Sequence, residues 1–265
     1  MTAMTLVAAL ASFIFMPLSQ ALIDAHGWRD ALIALAVVLA VVTVPAHAAV
    51  LRAAPRQVRV DAAGSGQRPV AAREALRSSP FWLLSAAFML ATITSVAVAV
   101  HAIPFLIERG HSPAFAAFAV GLIGVSQIPG RLLFAPLATR FPRPAAAASV
   151  CALMAVGVAL IVSIPTSGAV LVGLVVLGMG NGMGTLARAT VVGELYGVRS
   201  YGTIAAVAAS MPTAARALAP VTAALYAALV GYGGLLWTLA GLAAIAAAFA
   251  WRAVRAAETT AVATT

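Results

Sequence analysis

Not one lysine occurs in this chain: all 16 basic residues are arginine, set against only seven acidic ones. Charge of either sign is scarce, at 9% of the 265 residues, while 63% are hydrophobic and the mean hydropathy is +1.05. That scarcity excludes a soluble globular domain, in which about a quarter of the residues are charged. The chain reads as an integral membrane protein. A single cysteine, Cys151, excludes an intrachain disulfide and leaves the redox compartment unread. Also missing are the constellations of a membrane-embedded enzyme: there is no His-Glu-x-x-His motif, no pair of intramembrane aspartates and no Ser/His arrangement. No enzymatic activity, metal or cofactor is therefore expected. A net charge of +9 and a pI near 11.4 would suit nucleic acid. The arginines, however, lie in short connections between apolar runs, with no basic patch interleaved with aromatics. Nucleic acid is excluded as a partner, and the lipid bilayer is the expected surroundings.

A bilayer core about 30 Å thick takes roughly 20 apolar residues as a helix. By that measure eight spans are expected, over 5–23, 31–51, 80–107, 114–139, 145–164, 169–193, 202–230 and 235–254. Arginine placement orients them, because positive residues are retained on the cytoplasmic side. Connections after even-numbered spans hold Arg52, Arg56, Arg59, Arg68, Arg73 and Arg77, then Arg140 and Arg143, then Arg188 and Arg199 around the end of the sixth span, then Arg252 and Arg255 after the eighth. Those after odd-numbered spans hold only Arg29 and Arg109, with none in 165–168 or 231–234. Both termini should be cytoplasmic. A cleaved signal peptide over residues 1–21 is the alternative for the first span, but it lacks the usual positive n-region.

The one clear linker, 52–79, is polar and arginine-rich, with Gly64-Ser65-Gly66 and prolines at Pro55 and Pro69. It divides the chain into 1–51 with two spans, the loop itself, 80–256 with six spans, and a tail over 257–265. Three stretches carry a family resemblance. Pro17-Leu18 and Gly27-Trp28-Arg29 with Ala31-Leu32 look like a fifth-to-sixth helix junction; Leu186-Ala187-Arg188, Glu194-Leu195-Tyr196-Gly197 and Tyr201-Gly202 look like a tenth-to-eleventh connection. Gly130-Arg131, followed by Pro136-Leu137-Ala138-Thr139-Arg140 and Arg143, resembles the loop motif Gly-x-x-x-Asp-Arg-x-Gly-Arg. Ala135, Thr139 and Pro142 replace its first glycine, its aspartate and its second glycine. In this the chain resembles the major facilitator superfamily, in its monocarboxylate and oxalate/formate antiporter-like branch. The resemblance implies an all-α membrane protein corresponding to helices five to twelve of a twelve-helix carrier: two helices of the first bundle and the whole second bundle. The implied function is secondary active transport of a small organic anion by alternating access. Set beside it is a transport-incompetent fragment, or a start upstream of Met1, since the first four helices are not in this sequence. The implied location is the inner (plasma) membrane of a bacterium, and the implied partners are the solute and a coupling proton or counter-transported anion.

Two arginines, Arg131 and Arg216, sit inside apolar runs, where a guanidinium costs about 2.5–3.5 kcal/mol on insertion scales. By resemblance both line the central cavity and pair with a carboxylate, with Gln127, one turn before Arg131, orienting it or touching the solute. The other reading is structural: Arg131 snorkels or bonds carbonyls near Pro129, and Arg216 caps carbonyls freed by Pro212 and Pro220. His101 is either a proton carrier or a neutral imidazole on a neighbouring carbonyl. The glycine-rich run 178–184 is no phosphate loop, since no Lys-Ser/Thr follows it; its small residues suit close helix packing, and Asn181 within it is a candidate cavity residue. Arg140 and Arg143 belong to the gating loop motif, with Glu194 as a partner in place of the missing aspartate. Reporter fusions check the topology. Alkaline phosphatase joined after Thr166 or Gly233 should be active and after Arg143 inactive; activity after Arg143 would invert the orientation.

Overall fold

The computed structural model describes residues 2–52, 72–196 and 201–262. Most of the linker, 53–71, residues 197–200 with Arg199, and the side chain of Glu194 lie outside the described residues. Within them the chain is all helix: α1 (Thr2–Arg52), the single turn α2 (Ala72–Ala75), α3 (Ser79–Glu108), α4 (Pro113–Arg140), α5 (Arg143–Ser163), α6 (Ser167–Tyr196) and α7 (Tyr201–Val262). Six of these are long and apolar enough to cross a membrane. With no water in the bilayer to satisfy peptide groups, only such internally bonded segments can span it.

Each of α1 and α7 contains two of the expected spans, and each is broken at one glycine. Gly27 has φ 77° and ψ 165°, Gly231 has φ 75° and ψ 166°, and both lie outside the helical region. This backbone geometry is nearly confined to glycine, so each position marks a break between two helices. In α7 the break is a reversal that can be measured. The Tyr226 hydroxyl lies 3.2 Å from that of Thr238, twelve residues on, a separation that would be about 18 Å along an unbroken helix. Ile204 and Ala208 of the first arm likewise share a core cluster with Ala253 of the second. The local sequences echo one another: Gly27-Trp28 and Gly231-Tyr232 are each followed by a leucine at the fifth position after the glycine.

α3 to α7 form a bundle whose core contains Val98, Leu106, Val120, Met154, Ile161, Leu174, Leu177, Leu236 and Leu239, all essentially sequestered. Arg109 ties the ends of α3 and α5 together, its Nη2 donating to the Val162 carbonyl at 2.9 Å while the guanidinium covers the Phe105 ring. The linker's last turn docks on the opposite end, with Ala75 buried beside Phe81, Leu84, Ile204 and Ala253. α1 packs chiefly on α4. Ala31 is its one buried apolar residue among those described, and large side chains such as Leu32, Ile33, Leu39 and Val42 stand exposed. A bilayer accommodates that surface without cost, because lipid tails are as apolar as leucine.

The glycine run of α6 divides into two seams. A Cβ on Gly178 would stand 2.6 Å from the Ile123 carbonyl oxygen, and one on Gly182 would overlap the Gln127 backbone, so this stripe meets α4. From the other side, a Cβ on Gly130 of α4 would overlap the Met179 backbone. Gly173 and Gly180 face α5, where a Cβ would come within 2.7 Å of the Gly157 carbonyl and 2.8 Å of Met154. Packing of this kind is what holds membrane helices together, in the absence of a hydrophobic force between them. Gly182→Ala should therefore destabilise the protein by about 1–3 kcal/mol through overpacking, whereas Gly202→Ala, with open space around it, should be neutral. Thermal unfolding in detergent measures both, and equal melting temperatures for the two variants would contradict the seam.

Candidate functional site

The two seams fix the rotation of α6 and so decide where its few polar residues point. Asn181, Thr185 and Arg188 stand at i, i+4 and i+7, one face of the helix. Their partners come from α3 and α4. Asn181 Nδ2 donates to Ser95 Oγ at 2.7 Å. Arg188 Nη2 donates to Thr92 Oγ1 at 3.5 Å, and its guanidinium carbon lies 5.0 Å above the centre of the Phe88 ring, within cation–π range. On α3 the corresponding face runs Ser85, Phe88, Thr92 and Ser95 at i, i+3, i+7 and i+10.

Arg131 is only 7% exposed. Its Nη2 donates to Gln127 Oε1 at 2.9 Å, one turn earlier on α4, and its Nε donates to Thr185 Oγ1 at 3.3 Å across the seam. Thr185 in turn donates to the Gly182 carbonyl at 2.7 Å, so its hydroxyl is satisfied in both directions. The chain Gln127, Arg131, Thr185, Gly182 thus stitches α4 to α6 where glycine lets the backbones touch.

Arg216, near the middle of the first arm of α7, is exposed and lies within electrostatic reach of Arg188. His101 is 5% exposed; its Nε2 lies 3.1 Å from the carbonyl oxygen of Pro220, one turn beyond Arg216, and its ring is 5.9 Å from that of Tyr232. A carbonyl can only accept, so Nε2 is the donor and carries the proton. The histidine anchors α3 to the proline-bearing part of α7.

At the arginine-rich end, Arg143 lines a cavity of about 270 Å³ with Thr139, Thr190 and Glu258. Arg140 is exposed in the last turn of α4. The acidic side chain found at this cavity is Glu258, because α7 continues as helix to Val262, through most of the stretch read as a tail. Glu194 lies on α6, and its side chain is outside the described residues.

Of the sequence candidates, the structure brings Gln127 and Arg131 into direct contact and sets Asn181 on the same face of α6 as Thr185, Arg131's acceptor. It leaves Arg216 exposed on α7, within electrostatic reach of Arg188, and sets His101 of α3 against the Pro220 carbonyl of α7. Sequence reasoning missed Arg188, counted there as a loop charge marking the cytoplasmic side. The signal that identifies it is the polar face Asn181, Thr185, Arg188 read with Phe88, Thr92 and Ser95 opposite. Removing an acceptor from a charged donor costs about 1.5–3 kcal/mol. Gln127→Leu should thus lower stability by that amount through Arg131, as thermal unfolding would show; an unchanged transition would mean that Arg131 does not depend on it.

Compared with known families, the chain matches the model described as Major Facilitator Superfamily over residues 1–220 and again over 108–264. A comparison with curated proteins returns no match.

Proposed function

We propose, from the premise that this chain belongs to the major facilitator superfamily and is built to carry a small solute across a membrane, that the solute is an organic anion bearing a carboxylate. The observation that carries this reading is the charge balance of the bundle. Arg131, Arg188 and Arg216 place three guanidinium groups on α4, α6 and α7, while none of the seven acidic residues falls in the middle of an apolar run. Charges buried among membrane helices are costly and are repaid by pairing or by function. An anionic solute supplies the missing counter-charge, and a guanidinium, charged at any physiological pH, offers it a planar fork.

The mechanism that follows is alternating access, in which bundles rock about a site near the midplane. Pro104, Pro129, Pro136, Pro212 and Pro220 lie inside α3, α4 and α7 and allow those helices to bend. At the arginine-rich end, Arg143 and Glu258 line one cavity and Arg140 stands in the last turn of α4, and these charges open and close the cytoplasmic side. The reading places the protein in the inner membrane of a bacterium with both termini cytoplasmic.

Reconstitution of the full-length protein in proteoliposomes tests the solute class. Saturable uptake is expected for small carboxylates and not for neutral or cationic analogues of the same size. Arg216→Gln should reduce it by about tenfold or more, the loss of one charge-assisted hydrogen bond. Uptake of neutral or cationic solutes with no carboxylate transported would overturn the reading.

A further inference from the structure

The three intramembrane arginines differ in how much of their bonding capacity is already engaged. Arg131 commits its Nε to Thr185 and an Nη to Gln127. Arg188 makes one hydrogen bond, to Thr92 at the 3.5 Å limit of such contacts, and its buried Nε–H has no acceptor. A buried donor without a partner is costly and marks a place where one is due. In a guanidinium, Nε–H and the adjacent amine form a side-on fork whose spacing fits the two oxygens of a carboxylate. On Arg188 the guanidinium carbon that bears this fork lies 5.0 Å over the centre of the Phe88 ring. Arg216, for its part, is exposed and makes no hydrogen bond or ion pair among the described residues, and it lies close enough for its charge to bear on Arg188. Two like charges within reach of one another in an apolar bundle repel, and an anion bound by both turns both interactions attractive.

We propose that Arg188 and Arg216 together hold the transported anion, with Arg188 presenting its side-on fork from the Phe88 face, and that Arg131 is a positioning residue that fixes α6 against α4. This rests on the reading of the solute as an organic anion and names the contacts within it. Solute binding then does more than fill a site. It replaces the long bond to Thr92 and removes the repulsion between α6 and the first arm of α7, so that the two draw together around the anion. Asn181, fastened to Ser95 one turn or two further along the same faces, keeps α3 and α6 in register while this happens.

The experiment compares Arg188→Gln, Arg188→Lys and Arg131→Gln with the wild-type full-length protein, using a panel of small mono- and dicarboxylates. It reads uptake into proteoliposomes and the shift in melting temperature that each carboxylate causes. Arg188→Gln is expected to raise KM by about tenfold to a hundredfold and to abolish the ligand-induced shift. Its melting temperature without ligand should be equal to or higher than wild type, because a repelling, unpaired charge has been removed. Arg188→Lys, which keeps the charge but loses the fork, should fall between wild type and Arg188→Gln in KM. Arg131→Gln should melt at a lower temperature yet keep a carboxylate-induced shift and a KM near wild type. A wild-type KM and shift in Arg188→Gln, with carboxylates still transported, would overturn this assignment and leave the anion reading standing. If the wild-type protein neither binds nor carries any carboxylate, both fall together.

Discussion

Backbone contact between α4 and α6 is the constraint from which the candidate site follows. Gly130, Gly178 and Gly182 leave no room for a side chain between the two helices, while Gly173 and Gly180 do the same between α6 and α5. Clamped on two sides, α6 has one rotation available, and that rotation turns Asn181, Thr185 and Arg188 toward α3 and Arg131. The polar bonds come second in this order of causes. Arg131 reaches Thr185 because the backbones already touch, and the bond then makes the seam specific, since sliding by a turn would leave a buried guanidinium without its acceptor.

The same logic separates arginines that hold the fold from those free to act on a solute. In an apolar bundle a guanidinium is tolerated where donors meet acceptors, and Arg131, with Gln127 and Thr185, satisfies that condition within the protein. Arg109 does so at the far end, on the Val162 carbonyl and the Phe105 ring. Arg188 and Arg216 fall short of it, the first with a buried Nε–H that has no acceptor, the second exposed on the first arm of α7. His101 belongs with the first group in this structure: its bond to the Pro220 carbonyl braces α7 one turn from Arg216.

Much of the architecture is legible in the sequence because the bilayer reduces folding to a ruler and a charge rule. The all-α class and the run lengths follow from hydropathy, and the glycines at 27 and 231 already divide the long apolar stretches. Membership in the major facilitator superfamily, expected from the motifs around Gly130-Arg131 and Gly197, agrees with the family match. The rotation of each helix is what the sequence does not display. Hydrophobic on nearly every side, these helices carry little periodic signal, and a close approach depends on which glycine meets which backbone across the bundle. For that reason Arg188 reads as a loop charge in one dimension and, in three, as a part-buried group set against Thr92 and Phe88 of α3. Glu258 is hidden likewise, because a helix that continues beyond the bilayer carries no apolar mark.

If an anion is what relieves the unpaired charge of the bundle, its position identifies the groups responsible. A structure of the full-length protein with a transported carboxylate bound is the most direct measurement of that claim. The account predicts a carboxylate oxygen within hydrogen-bond distance of Arg188 Nε, the Phe88 ring still beneath the guanidinium, and the Arg216 side chain turned toward the same ligand. A solute seated away from both Arg188 and Arg216, with the Arg188 Nε still lacking an acceptor, would contradict it.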